Sequence, residues 1–289
     1  MRVIAEIGCN HMGRVESALG MIDVAADFCG VDVVKFQKRN PKECLTSDQY
    51  ASPHPNPSHS FGSTYGEHRE ALELSIEDHK LLQQHCEEKG VAYCTSVWDV
   101  TSAKDVIALE PSLIKVPSAC NLHEPMLRVL VDSFPGEIHV SLGMTSRSEE
   151  EWIVEYFEHA GRQSDLVLYA CTSGYPVPFN DVCLLEITRL KKCYGSRVRE
   201  IGFSGHHLGI SVDVAAMTLG ATVIERHFTL DRTQKGTDHA ASLEPDGMRR
   251  LCRDLTAVNS ALRSKGAEVL PIEDEQRVKL KDLRYSPDL

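Results

Sequence analysis

Two lysines stand where lysine is seldom found. Lys35 lies in "DVVKFQ" (32–37) and Lys115 in "SLIKVPS" (112–118), both short runs rich in β-branched and apolar residues. A lysine inside such a strand is paired or bound to a ligand, because a bare ammonium is too costly to bury. Hydroxyl groups fall at the ends of the neighbouring runs: Thr95 and Ser96, Ser118, Ser141, Thr172 with Ser173 and Tyr175, and Ser204. Two lysines ringed by hydroxyls suit a small, strongly anionic ligand, a phosphate or a phospho-carboxylate.

Two histidines supply a second chemistry. His206 and His227 are 21 residues apart, the length of one strand–helix–strand step. Such a step puts them at one height on neighbouring strands, about 5 Å apart in backbone. Imidazoles so placed can share one divalent metal, Mn, Fe, Co or Zn; the competing reading is two independent core or loop histidines. Glu6, with Asn10 and His11 just beyond it, Gln37 on the face of Lys35, and Glu225 on the face of His227 lie at the same level. Asp238 and His239 follow the last run and are within reach; Asp238 suits the binding of hydroxyl groups. His54 and His59, in a Pro-rich stretch, are expected in solvent, and His79 and His85 on the surface of a helix.

These residues meet only if the elements carrying them all point the same way. Strand candidates are 2–8, 32–37, 91–96, 112–118, 137–143, 166–172, 200–204 and 222–228. Between the first two, Val15, Ala18, Leu19, Ile22, Ala25, Ala26 and Cys29 follow helical spacing, and Gly30 sits where a helix-ending glycine belongs. Further helices are read at 76–89, 99–109, 123–133, 147–161, 180–194, 210–219 and 245–264. Ser75 with Asp78 forms a capping-box variant, and Pro245 opens the last helix.

Eight alternations over about 265 residues predict a single-domain α/β fold, a (β/α)8 TIM barrel with its site at the C-terminal ends of the strands. A doubly wound sheet is the alternative, weakened because no GxGxxG follows the first strand. Residues 1–265 are read as the barrel and 266–289 as a charged tail. Within the barrel, 38–75 is an unusually long connection with few clear elements, expected to serve function or subunit contact.

Composition narrows the partners. A net charge of −11 with no basic run argues against nucleic acid. No apolar stretch approaches the length of a membrane span, and the N-terminal run is too short for a signal sequence. Ten cysteines without a CxxC pair are expected as reduced, buried thiols in the cytoplasm.

The motifs "AEIGCNHMG", "VVKFQ", "KVPSA", "SLGM", "CTSGYPVP", "GFSGHHLGI" and "LGATVIERHFTLDRTQKGTDHAASLEP", in this order, resemble the N-acetylneuraminate (sialic acid) synthase family from residue 3 to about 262. The forms "GFSGHH", with Gly205, and "KFQK…TYGEH" are most like the animal-type N-acylneuraminate-9-phosphate synthases. The resemblance implies condensation of phosphoenolpyruvate with N-acetylmannosamine, its 6-phosphate or a related hexose. The products are a nine-carbon 2-keto-3-deoxy sugar acid, or its 9-phosphate, and phosphate. It implies a divalent metal, Mn or Mg, on His206 and His227, and a homodimer. It assigns Lys35, Thr95, Lys115, Ser118, Ser141, Ser173 and Ser204 to phosphoenolpyruvate, and Glu6, Gln37, Tyr175 and Asp238 to the acceptor and the attacking water. Glu6 is then the residue that handles the water proton, and His207 matches no ligand position.

This sequence departs from the family pattern in three places. Cys120 follows the fourth strand where an acid is usual, which leaves the acceptor's identity open. Ser173 stands where many bacterial members have asparagine. The sequence stops at Leu289 without the family's C-terminal antifreeze-like domain, so another chain is expected to supply its acceptor contact, or the acceptor is bound differently. Two other readings compete: a different metal-dependent barrel acting as a sugar-phosphate aldolase or isomerase, and a catalytically silent binding protein.

Overall fold

The computed structural model describes residues 1–282. Eight parallel strands close on themselves in chain order. They are β1 (Arg2–Gly8), β2 (Val33–Lys38), β3 (Ala92–Val97), β4 (Leu113–Val116), β5 (Glu137–Ser141), β6 (Leu166–Cys171), β7 (Glu200–Gly205) and β8 (Val223–His227). The ring shuts where β1 pairs with β8, from Arg2 opposite Val223 to Glu6 opposite His227. Both faces of each strand are covered, which is why the runs read as nearly continuous apolar sequence. Outward residues such as Val34, Phe36, Tyr93, Ile114 and Ile138 pack against the helices in one large core. Inward residues Ile4, Val33, Cys94, Leu113, Val167, Tyr169 and Val223 fill the barrel. Lys35 follows Val34 and precedes Phe36, so the strand's alternation turns Lys35 and Gln37 inward.

The helices fall where their periodicity predicts, with physical exceptions at their ends. The first is α-helical over Val15–Asp23 and widens to a π turn over Val24–Cys29 before Gly30, at φ +73°, ends it. The helix expected from 180 begins at Leu185, because Cys183 has φ +53° and cannot continue an α-helix. Ser75 and Asp78 make the expected capping box.

The long connection holds more regular structure than its sequence shows. It holds short helices over Pro41–Cys44, Ser47–Ala51 and Tyr65–Ala71, the last two opened by Thr46/Gln49 and Thr64/Glu67 capping boxes. Its own small core includes His54, which is buried with its ring centroid 4.3 Å from that of His68. The expectation of a solvated His54 therefore fails. The insertion is also clamped to the segment after β8: Gly236 N donates to His59 Nδ1 at 3.2 Å, and the Lys235 ammonium lies 4.6 Å from the Phe61 ring centre. His79 is likewise buried, not superficial, bonded through Nδ1 to the Tyr93 hydroxyl at 2.8 Å. His85 is partly exposed and contacts Asp23 at 2.9 Å. The tail carries a further short helix, Pro271–Gln276, and a π turn over Arg277–Asp282. No helix among the described residues is long and apolar enough to cross a membrane.

Candidate active site at the C-terminal mouth of the barrel

A cavity of about 410 Å³ opens at the C-terminal ends of the strands, where loops of this fold carry chemistry. Its floor is a network of four charges. Lys35 Nζ lies 2.6 Å from Glu6 Oε2, 2.9 Å from Ser96 Oγ and 3.8 Å from Glu225 Oε1. Lys115 Nζ donates to Glu225 Oε2 at 2.8 Å and sits 3.8 Å above the Tyr169 ring. Ser204 Oγ donates to Glu225 Oε1 at 3.1 Å, and Gln37 Nε2 to Glu6 Oε1 at 2.9 Å. Glu6 is thus held from both sides, by Gln37 on Oε1 and by the Lys35 ammonium on Oε2.

All four charges are buried. Burial would push Glu225 up, but the ammonium groups of Lys115 and Lys35 outweigh it and hold its carboxyl well below the usual range. Burial likewise opposes the charge on Lys35, and Glu225 with Glu6 overcomes it. The two lysines therefore answer the burial argument by pairing, and pairing alone would explain them. The case for an anion rests on what surrounds them.

That surrounding is a hydroxyl cradle. Gly143 N donates to Ser118 Oγ at 3.0 Å. A Cβ on Gly143 would lie 2.4 Å from Ser173 Oγ and 2.7 Å from Ser118 Oγ, so only glycine lets both hydroxyls converge there. Ser141 and Lys115 line the same wall. Hydroxyl donors beside an ammonium form a pocket for carboxylate or phosphate oxygens.

The two histidines stand beside this cradle with ring centroids 5.4 Å apart. His206 Nδ1 lies 3.0 Å from the Thr172 carbonyl oxygen, which can only accept, so Nδ1 carries the hydrogen. Burial, reinforced by His227, pushes its pKa down to about 3, and the neutral ring leaves the Nε2 lone pair available. His227 Nδ1 is buried without a hydrogen-bond partner, 3.9 Å from Asp238 Oδ2. The Tyr175 ring packs against both imidazoles. This donor set fits a divalent metal in kind. Among the described residues no group of three or more His, Cys, Asp or Glu is placed to hold one, so oxygens of substrate and water would complete the shell.

Glu6, Gln37 and Asp238 form the third wall. A Cβ on Gly8, whose φ is +56°, would sit 3.1, 3.0 and 3.6 Å from their respective side chains. Beyond them lies a rim of two arginines. Arg39 is buried, its Nε donating to Glu73 Oε1 at 2.6 Å and its guanidinium 5.4 Å from the Trp98 ring centre. Arg69 rests on Tyr65, donating through Nε to the hydroxyl at 3.0 Å.

Of the residues singled out in the sequence, Glu6, Lys35, Gln37, Lys115, Ser118, Ser141, Ser173, Tyr175, Ser204, His206, His227 and Asp238 all line this cavity. Thr95 does not. It pairs with the outward-facing Phe36, while Ser96 pairs with Gln37 and faces in. The hydroxyl that belongs to the site is one residue later, and a one-residue slip in a strand exchanges its faces. His239 also stays out of the cavity, tied by Nδ1 to Thr229 Oγ1 at 2.7 Å. The Cys120 thiol turns to the Trp98 carbonyl at 3.4 Å and is not among the lining residues.

Glu225, Arg39 and Arg69 line the site and were given no role from sequence. Glu225 had a readable signal: two lysines in strands require carboxylates, and it shares the face of His227. His207 faces away from His206 into a sealed cluster. Its Nε2 is 3.2 Å from Asp213 Oδ2, and Arg226 bonds both Asp213 and the His207 carbonyl oxygen. Gly205 belongs to that packing, since a Cβ there would meet His207 Cε1 at 2.8 Å and Phe203 Cε1 at 2.9 Å.

Comparison with known proteins places this geometry. Residues 21–267 match the model of the NeuB family. The chain is 36% identical to N-acetylneuraminate-9-phosphate synthase of Homo sapiens over 271 residues, 94% of this chain and 74% of that protein. It is 33% identical to N,N'-diacetyllegionaminic acid synthase of Campylobacter jejuni, over 90% of this chain and 77% of that one. The crystal structure of the N-acetylneuraminic acid synthetase of Leptospira borgpetersenii, in complex with citrate, superposes with a TM-score of 0.81 at 28% identity, covering 99% of this chain and 93% of that one. The resemblance first carried by short motifs thus extends through barrel and sequence alike, and the chain belongs to the NeuB family, the family of the sialic acid synthases.

Proposed function

We propose that this cavity joins the enol carbon of phosphoenolpyruvate to the aldehyde carbon of an open-chain amino sugar, with the roles divided among its three walls. The chain is a synthase of the sialic acid type, as its relatives are. The observation that carries the division of roles is that a serine–lysine cradle and a pair of adjacent imidazoles line one cavity. The cradle of Lys115, Ser118, Ser141, Ser173 and Ser204 holds the carboxylate and phosphate oxygens of phosphoenolpyruvate, with Lys35 beside it. Ser96 takes the place that sequence reading gave to Thr95. Citrate in the Leptospira relative is a carboxylate-rich ligand of the same general chemistry.

His206 and His227 would hold a divalent metal, Mn or Mg, which when bound supplies Lewis acidity to the aldehyde oxygen. Gln37, Tyr175 and Asp238 orient the sugar hydroxyls so that the two carbons meet in line. As the carbon–carbon bond forms, positive charge develops at the carbon bearing the phosphate ester, and water adds there. Glu6, which lines the cavity between Lys35 and Gln37, takes the water proton. The carbon–oxygen bond to phosphate then breaks, the keto group forms, and Lys35 and Lys115 stabilise the departing anion.

We further assign residues 1–265 to the catalytic barrel and 266–289 to a tail, and place the enzyme in the cytoplasm as a homodimer in which segment 38–75 contacts the partner. Light scattering tests the dimer, and a monomer at micromolar concentration would remove it.

The reaction itself is tested by incubating the protein with Mn and phosphoenolpyruvate and adding N-acetylmannosamine, its 6-phosphate or mannose 6-phosphate in turn. Acceptor-dependent phosphate release is expected. Its absence with every sugar would overturn the proposal and favour the aldolase or isomerase reading.

A further inference from the structure

We propose that Arg69, backed by Arg39, binds a phosphate at the far end of the acceptor, so that this enzyme takes a hexosamine 6-phosphate and makes the nine-carbon 9-phosphate. This rests on the synthase reading above and decides a question that reading leaves open. The relatives differ on it by name: the human protein is named for a 9-phosphate product and the Campylobacter protein for an unphosphorylated one.

The argument begins with where positive charge is left over. On the floor, Lys35 and Lys115 face Glu6 and Glu225, two cations against two anions. At the rim, Arg39 is matched by Glu73. Arg69 has no carboxylate partner among the described residues; it contacts only the neutral hydroxyl and ring of Tyr65. Arg39 contributes a second donor edge, since Nε is used by Glu73 and one Nη by Cys9 Sγ at 2.7 Å, leaving the other Nη without a partner among the described residues. In a chain of net charge −11, an uncompensated guanidinium on a cavity wall is a place prepared for an anion.

The layout of the cavity wall fits the same conclusion. Asp238 lies 3.9 Å from His227, and Cys9 Sγ bridges Gln37 Oε1 at 3.5 Å and Arg39 at 2.7 Å, so the arginines continue the wall that Gln37 and Asp238 begin. Lys235 joins these arginines around His68, whose pKa is pushed down to about 4 by burial and by its cationic neighbours. A sugar with its aldehyde at the imidazoles and its hydroxyls at Asp238 and Gln37 therefore points its last carbon at the arginines. Guanidinium groups match phosphate oxygens with paired donors, and the fixed Arg39, held by Glu73 and Trp98, loses little freedom on binding.

The test measures kcat/KM for N-acetylmannosamine and for its 6-phosphate in the wild type, Arg69→Met and Arg69→Lys. The wild type should prefer the phosphorylated sugar by about a hundredfold, and Arg69→Met should shrink that preference at least about tenfold through KM, with Arg69→Lys between them. The KM for phosphoenolpyruvate should not move. Equal use of both sugars by the wild type, or an undiminished preference in Arg69→Met, overturns the proposal. Release of phosphate with neither sugar would instead sink the synthase reading. In that case calorimetric binding of N-acetylmannosamine 6-phosphate decides the role of Arg69: equal affinity in the wild type and Arg69→Met refutes it, and at least about tenfold weaker binding in the variant supports it.

Discussion

Glu225→Gln tests whether the cavity floor is held together by charge. Glu225 is the only carboxylate paired with Lys115 among the described residues, at 2.8 Å, and it also reaches Lys35 at 3.8 Å. At an effective dielectric near 20 these contacts are worth about 6 and about 4 kcal/mol before solvation is counted. Releasing the carboxylate from burial offsets most of that, and breaking one partner of a buried pair costs about 3–5 kcal/mol in practice. Glutamine keeps an oxygen for Lys115 and Ser204, so about 3 kcal/mol is expected, or roughly 6–12 °C in Tm. The variant floor carries one more positive charge than the wild type. Phosphoenolpyruvate should therefore raise the melting temperature of Glu225→Gln more than that of the wild type. Thermal melts at neutral pH, with and without phosphoenolpyruvate, read both effects. A variant that melts within about 1 °C of the wild type, below the shift of even 1 kcal/mol, or that gains no more from the ligand than the wild type does, would refute the reasoning.

Other consequences are simpler to state. Gly143→Ala should abolish phosphoenolpyruvate binding while the fold stays intact, because its Cβ would stand 2.4 Å from Ser173 Oγ; calorimetry showing normal affinity would exclude the cradle. His206→Ala should lose metal retained after gel filtration, measured by elemental analysis, while His207→Ala, whose ring bonds Asp213 in the sealed cluster, should keep most of it. The His139 hydrogen bond, opposed by burial and joined by Arg2, holds Glu137 down at about 2 against an ordinary 4.5. A depressed carboxyl stabilises the fold above its unfolded value and loses that contribution as pH falls through the folded one. Wild-type stability should therefore decline between about pH 4.5 and 2, and Glu137→Gln should flatten that limb by about 1–2 kcal/mol, read from urea midpoints; an unchanged limb counts against the pairing.

Much of this architecture is legible in the sequence because its signals are local. Apolar runs alternating with helical periodicity specify a barrel, and period-two alternation turns Lys35 and Gln37 inward. The error at Thr95 is the weakness of that same signal: parity is known only once register is known, and "CTS" offers hydroxyls on both faces. What was not legible depends on partners distant in sequence. His54 and His79 look like surface residues until His68 and Tyr93 are placed beside them. The pairing of Lys115 with Glu225 spans 110 residues, so the sequence shows that a carboxylate is required, while the register that brings Glu225 to Lys115 comes only with the closed barrel. Segment 38–75 looked unstructured because its helices are too short for periodicity to show, although their capping boxes were present in the sequence.

The clamp between His59 and Gly236 joins positions 177 residues apart. A ribosome adding about 5–20 residues each second needs roughly 10–35 s to travel that distance. For nearly all of that interval the Arg69 wall has been synthesised but the segment that backs it has not. The floor waits as well, since Glu225 arrives on the final strand, which also closes the ring against β1. The nascent chain thus carries Lys115 without its Glu225 partner while the 110 residues between them are added, and the docking face for Lys235 on Phe61 stays uncovered for longer still. Completion of the last strand and the loop after it is the moment at which barrel, charge balance and ligand pocket come into being together.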